Sequence, residues 1–260
     1  MIKKVLTIAG SDSSGGAGIQ ADIKTITAHK MYAMSVITAL TAQNTICVDG
    51  VAETAPEFVA KQIDSVFADI VPDSVKTGML ANSDIVSAVS EKLRQYGAKN
   101  IVIDPVMVST SGSRLISETA ADAMKKELFP LGTVITPNIP EAEVLCGIKI
   151  TDSRDMTAAA KSVYSAFGCA VLIKGGHAAD NSSDLLFDGK DEYWYNAEKI
   201  NTKNTHGTGC TLSSAIACAL ADGKSLPDSV AAAKDYVTNA LRCGIDIGHG
   251  SGPLNHMYAL

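Results

Sequence analysis

The chain has 260 residues, 46% apolar, 19% charged and 5% aromatic, so it can bury a sizeable core and is neither disordered nor fibrous. Its 22 Lys and Arg against 28 Asp and Glu leave a formal charge of −6 with no run of like charges, which argues against nucleic acid or an anionic membrane as partner. No apolar stretch approaches the roughly 18 residues of a membrane span, and polar Ser11, Asp12 and Ser13 arrive too early for a secretory signal, so a cytoplasmic protein is predicted.

Short β-branched runs alternate with helical patterns. Strands are predicted at Lys4 to Gly10, Ser35 to Thr41, Ser74 to Met79, Asn100 to Asp104, Thr133 to Pro137 and Ala170 to Gly175, with a hairpin pairing Leu185 to Phe187 with Tyr193 to Tyr195. The first six are apolar enough to be covered on both faces. Thr54-Ala-Pro-Glu57 reads as a capping box with Pro56 at the first helical position, followed by Val59, Ile63, Val66 and Phe67 on one face. Asn82 opens a helix carrying Val86, Val89 and Leu93 that Gly97 ends, and Ser225-Leu-Pro-Asp228 opens the last long helix. The repeated β-α order predicts one α/β domain, residues 1–260, built on a mostly parallel, doubly wound sheet. The six cysteines never form a Cys-x-x-Cys pair, which argues against a zinc ribbon or a redox dithiol; all but Cys210 are predicted to be small buried hydrophobes.

In such sheets ligands bind beyond the carboxyl ends of the strands. Polar and Gly-rich residues gather there: Gly10 to Gly18, Gln43-Asn44, Gly78-Met79, Asp104-Pro-Val106, Asn138 and Lys174-Gly-Gly-His177. Gly16-Ala-Gly-Ile-Gln-Ala21 matches G-x-G-x-x-A, but no acid follows at the end of the second strand, so a dinucleotide site is disfavoured. The glycines instead let backbone approach a small substrate, with Asp22 facing the same pocket.

Asn204-Thr-His-Gly-Thr-Gly-Cys-Thr-Leu212 precedes a helix of small apolar residues, and glycines at a helix N-terminus make an anion site from Gly207, Thr208 and Gly209. Cys210 is then either a thiol activated by the helix field or a small residue packing the helix on the sheet. A His206–Cys210 hydrolase lacks an orienting third group; His206 and His177 are read as shaping the phosphate site, and His29 as solvated. Lys174 and Asp104 complete a phosphoryl-transfer set. Glu141, one turn into the helix after Asn138, either organises metal-bound water or complements the helix dipole.

These residues resemble the ribokinase superfamily and, within it, the hydroxymethylpyrimidine/phosphomethylpyrimidine kinases of thiamine biosynthesis. The resemblance rests on A-G-S-D-S-S-G-G-A-G-I-Q-A-D from Ala9, T-A-Q-N-T from Thr41, K-T-G-M-L from Lys76, D-P-V-M-V from Asp104, T-P-N-I-P-E-A-E from Thr136, L-I-K-G-G-H from Leu172, N-T-K-N-T-H-G-T-G-C-T-L from Asn201 and G-S-G-P-L-N-H from Gly250. It implies a three-layer α/β/α sandwich without a separate lid domain. It also implies transfer of phosphate from ATP, with Mg²⁺, to 4-amino-5-hydroxymethyl-2-methylpyrimidine and then to its monophosphate. Carried over by position, Gln43 hydrogen-bonds the pyrimidine, Ala17, Met79 and Val106 line its pocket, and Asp22 lies beside it. Asp104 and Glu141 serve the metal, Asn138 the phosphates, Lys174 the transferring phosphate, and Gly207, Thr208 and Gly209 the anion hole. Cys210 stands where many relatives place an aspartate base. A homodimer is implied, and activation by a monovalent cation is left open. Pyridoxal kinases of the same fold often replace the Gln-Asn pair and carry a second cysteine where Ser109-Thr110 stand here, which favours the thiamine pyrimidine. A non-catalytic pyrimidine-binding sensor would be expected to lose Lys174, Asp104 or the glycine loop, and all are present.

Overall fold

The computed structural model describes residues 1–107, 116–176, 183–196, 198 and 200–260. Val108, Ser109, Thr110 and His177 of the sequence reading lie outside the described residues. The strands are β1 (Lys4–Asp12), β2 (Tyr32–Gln43), β3 (Val48–Glu53), β4 (Ser74–Thr77), β5 (Ile101–Ile103), β6 (Val134–Ile135), β7 (Ala170–Ile173), β8 (Asp184–Phe187) and β9 (Glu192–Tyr195). The helices are α1 (Gly18–Ala28), α2 (Pro56–Asp69), α3 (Ser83–Gln95), α4 (Glu118–Ala123), α5 (Ile139–Cys146), α6 (Ser153–Phe167), α7 (Thr208–Ala221) and α8 (Leu226–Arg242). All nine strands form one sheet in the order β3-β2-β1-β4-β5-β6-β7-β8-β9. The run from β2 to β7 is parallel, and β3, β8 and β9 join antiparallel at the edges.

Strand alternation sorts the core into two layers. Leu6 and Ile8 of β1, Ile101 and Ile103 of β5, and Val171 and Ile173 of β7 pack with Ile63 of α2, Val86 of α3 and Val163 of α6. Their neighbours Val5, Val102 and Leu172 pack on the opposite face with Ile26 of α1, Ile216 of α7 and Val237 of α8. Helix α7 is buried from Thr211 to Ala221, which explains its small residues: it runs between the sheet, α1 and α8.

Asn82 and Ser225 cap α3 and α8 as the sequence predicts, each accepting from the backbone three residues on. The capping box at Thr54 does not form: α2 starts from Ala55, which makes no side-chain cap, and Pro56 alone marks the first turn. Strand β3 has no counterpart in the sequence reading. It is short, contains Gly50, and is exposed at all six residues, so no apolar pattern announces it. It also corrects the expectation for β2, which is not covered on both faces at its end: from Leu40 to Gln43, where it carries this edge strand, its residues alternate between exposed and half-buried. Of the five cysteines predicted to be buried only Cys169 and Cys218 are; Cys146 is half-buried, and Cys47 and Cys243 are exposed.

Candidate active site

The carboxyl ends of the parallel strands bring distant residues together along one edge. Lys174 follows β7, where its backbone bridges to Asn138 after β6, and its Nζ lies 3.1 Å from Oδ1 of Asp104 after β5. Burial works against the ammonium, but the charges of Asp104 and Glu141 outweigh it and raise the Lys174 pKa above its ordinary value. Asn138 and Glu141 form a reciprocal capping box: Asn138 Oδ1 accepts from Glu141 N at 2.8 Å and Glu141 Oε2 from Asn138 N at 2.9 Å. Glu141 Oε1 accepts from Met107 N at 2.9 Å, tying β5's loop to α5. Burial raises the Glu141 pKa, opposed by Lys174 and reinforced by Asp104. Glu141 thus serves the helix N-terminus, as one of its two sequence readings has it, and lies within the electrostatic reach of Lys174 and Asp104. Between Asp104 and Met107 the chain passes through Val106 at φ +47°, a costly conformation for a β-branched residue and one that functional sites tend to hold.

Helix α7 points its N-terminus at this pair. Its cap is Gly207 at φ +85°, so close to the first loop that a Cβ would fall 1.9 Å from the Gly16 carbonyl oxygen. A Cβ on Gly209 would lie 3.3 Å from Asp104 Oδ2 and 3.4 Å from Lys174 Nζ, so the backbone reaches the charged pair directly. Thr208 is corrected as an anion-hole donor: its N–H and its hydroxyl both bond to the Thr205 carbonyl, at 3.2 and 2.7 Å. The N–H groups of Gly207, Gly209 and Cys210 have no partner among the described residues and supply the positive end of the helix.

Cys210 sits in the first turn of α7, with Asp22, Lys76, Asp104 and the Gly18 N–H among the groups that act on its thiol. The expectation that the helix field makes it a ready thiolate is overturned. Burial raises the thiol to about 11, Asp22 and Asp104 add to the shift, and Lys76 with the Gly18 N–H opposes it. His206 makes no dyad with it, being engaged with Asp12 instead.

Asp22 is corrected too. It is wholly buried below the pocket, where its oxygens take Lys76 Nζ at 2.8 and 2.9 Å, Thr7 Oγ1 at 2.6 Å and Ser214 Oγ at 2.8 Å. Lys76 is as buried as its partner, with its pKa held up by Asp22 against the pull of burial. The sequence reading assigned Lys76 no role, although a lysine inside a covered strand signals a paired charge. Asp12 was likewise passed over inside its loop. Its carboxylate accepts from Ser14, Gly16 and Ala17 N–H and from His206 Nε2 at 2.8 Å. Burial opposes that charge, yet the bonds from His206, Ser14 and Ala17 hold its pKa well below the usual range. The other substrate-side residues surround this loop. Ala17 caps α1, the Met79 methyl approaches Gly10, and the half-buried Gln43 lies 3.3 Å from His206.

Among the described residues no three His, Cys, Asp or Glu side chains converge as a metal cage. Mg²⁺ does not need one, since it keeps waters and phosphate oxygens and takes one or two carboxylates. Asp104, whose Oδ2 accepts no hydrogen bond from a described residue, fits such a donor, with Glu141 beside it.

The family described as phosphomethylpyrimidine kinase matches residues 12–255. The chain belongs to the phosphomethylpyrimidine kinase family. It is therefore a phosphotransferase with ATP as co-substrate, and its fold is ribokinase-like. Among curated proteins it is 48% identical over 257 residues to the hydroxymethylpyrimidine/phosphomethylpyrimidine kinase of Streptomyces coelicolor, covering 98% of this chain and 95% of that one. The Escherichia coli protein of the same description is 47% identical over 259 residues, covering 98% and 97%. It is also 50% identical to the thiamine biosynthesis bifunctional protein ThiED of Geobacter sulfurreducens, of which it spans 52%. Phosphomethylpyrimidine kinase from Clostridium difficile superposes with a TM-score of 0.84 at 44% identity, covering 92% of this chain and 99% of that one. Staphylococcus aureus pyridoxal kinase in complex with AMP-PCP gives 0.92 at 35% identity over 100% and 95%.

Proposed function

We propose that this site moves the γ-phosphoryl group of ATP onto the hydroxymethyl oxygen of 4-amino-5-hydroxymethyl-2-methylpyrimidine and, in a second turnover, onto the resulting monophosphate. The observation that carries the proposal is the Lys174–Asp104 pair set against the N-terminus of α7, with Gln43 across the glycine loop. Phosphoryl transfer asks mainly for positioning and charge neutralisation, and this edge supplies both.

Lys174 holds the transferring phosphate, and the free N–H groups of Gly207, Gly209 and Cys210 take the charge that develops on its oxygens. Asn138 approaches the phosphates from α5. Asp104, with Glu141 beside it, would hold Mg²⁺, which when bound would neutralise the phosphate chain. Ala17, Met79 and Val106 enclose the ring and Gln43 bonds its polar edge. The thiolate form of Cys210, a small fraction at neutral pH, receives the hydroxyl proton late in the first transfer. Asp22 acts from below by fixing Lys76, whose charge lowers the cost of that thiolate.

The free cysteines and negative charge support a cytoplasmic enzyme with no nucleic-acid or membrane partner. Exposed Leu40, Ile46, Val48 and Val51 on and beside the β2–β3 edge support a homodimer. An ADP-release assay with ATP and Mg²⁺ on hydroxymethylpyrimidine, its monophosphate and pyridoxal tests the substrate. Turnover on both pyrimidines with little on pyridoxal is expected; preference for pyridoxal, which the Staphylococcus neighbour accommodates by name, would replace it.

A further inference from the structure

The hydrogens around Gln43 have one consistent arrangement. Asp12 is an acceptor only, since its Oδ1 takes Ser14 N and Oγ and its Oδ2 takes Gly16 N and Ala17 N. His206 Nε2, 2.8 Å from that Oδ2, must therefore carry its proton. The His206 backbone N–H is bound to the Gly252 carbonyl at 3.1 Å, and its ring packs so close to Gly16 that a Cβ there would fall 2.4 Å from Cδ2. On the other side of Gln43, Thr41 Oγ1 lies 2.9 Å from the Ser11 carbonyl oxygen, which can only accept, so the single hydroxyl proton points there. Thr41 consequently faces Gln43, at 3.1 Å, as an acceptor.

The one His206 Nε2 proton is committed to Asp12, so the orientation of the carboxamide is set at its other end, where Thr41 Oγ1 accepts from the NH₂ and the oxygen is turned toward His206. We infer that Thr41 is a positioning residue that holds the Gln43 amide with its NH₂ toward Thr41 Oγ1 and its oxygen toward His206. One N–H and the amide oxygen then remain for a ligand. That pattern complements an amino group beside a ring nitrogen, and it rests on the reading that Gln43 meets the pyrimidine. The same His206 leads into Gly207, whose backbone abuts Gly16, so one junction joins the ring-binding loop to the phosphate loop.

The test is a cycle of Thr41→Val and Gln43→Ala, with Thr41→Ser as the conservative variant, reading the KM for hydroxymethylpyrimidine and for ATP separately. Thr41→Val is expected to raise the pyrimidine KM about fivefold, the size of one lost hydrogen bond, while the KM for ATP moves less than about twofold. Thr41→Ser is expected to restore the pyrimidine KM, and Thr41→Val is expected to add less than about twofold once Gln43 is alanine. An equal effect of Thr41→Val with and without Gln43, or an equal rise in both KM values, overturns the positioning role while leaving the Gln43 contact intact. An unchanged pyrimidine KM in Gln43→Ala removes the contact itself and the positioning role with it.

Discussion

Lys174 and Asp104, 70 residues apart in the chain, meet at 3.1 Å where β7 and β5 end, with Gly209 of α7 lying against both. This contact places the charge that neutralises a moving phosphoryl group beside the free N–H groups of a helix. Lys174→Ala is therefore expected to lower kcat by about a hundredfold or more on either pyrimidine, the scale of a lost transition-state charge contact. Steady-state kinetics beside a thermal melt checks this; a kcat within threefold of the parent would remove Lys174 from the transfer.

Gly207 and Gly209 should fail in different ways. At φ +85° and with the Gly16 oxygen 1.9 Å from a built Cβ, alanine at 207 is expected to destabilise the fold by more than about 2 kcal/mol. At 209 the Cβ meets only Asp104 Oδ2 at 3.3 Å and Lys174 Nζ at 3.4 Å, so stability should hold while turnover falls by about tenfold or more. Urea midpoints and kcat measured on both variants separate the two losses.

Acid should weaken the first loop. The folded-state pKa of Asp12 lies below its ordinary 3.8, so its contribution is present above that value and is lost as pH falls through the lower, folded one. Asp12→Asn is expected to cost about 1.5–3 kcal/mol at neutral pH and to flatten the decline in stability below about pH 4. Denaturation curves across that range decide it; parallel curves for the two proteins would contradict the assignment.

Burial holds the Cys210 thiol up to about 11, so only roughly one molecule in ten thousand carries the thiolate at pH 7. Turnover on the hydroxymethyl alcohol is accordingly expected to climb with pH between about 7 and 9, by up to tenfold per unit. Turnover on the monophosphate, whose acceptor oxygen is already ionised, is expected to stay nearly level. Cys210→Ala should abolish the slope and lower kcat on the alcohol; identical profiles for both substrates would exclude proton transfer to the thiol.

Much of this protein was written in local pattern. β-branched runs and the caps at Asn82 and Ser225 determined the parallel layers, because strand and helix periods and caps are properties of neighbouring residues. Gly207, Gly209, Lys174 and Asp104 were legible for the same reason, since strand ends and a glycine-led helix start fall at fixed points in the sequence. Tertiary structure alone decided what those residues contact. Asp22, read as facing the pocket, is buried against Lys76; Thr208 turns its N–H back on Thr205; and burial raises the Cys210 thiol more than the Lys76 charge lowers it. Strand β3, and the meeting of Asp12 with His206 across 194 residues, also depend on partners far along the chain. Charge state and hydrogen-bond direction follow from burial and from which groups fold together, and neither exists until distant segments have met.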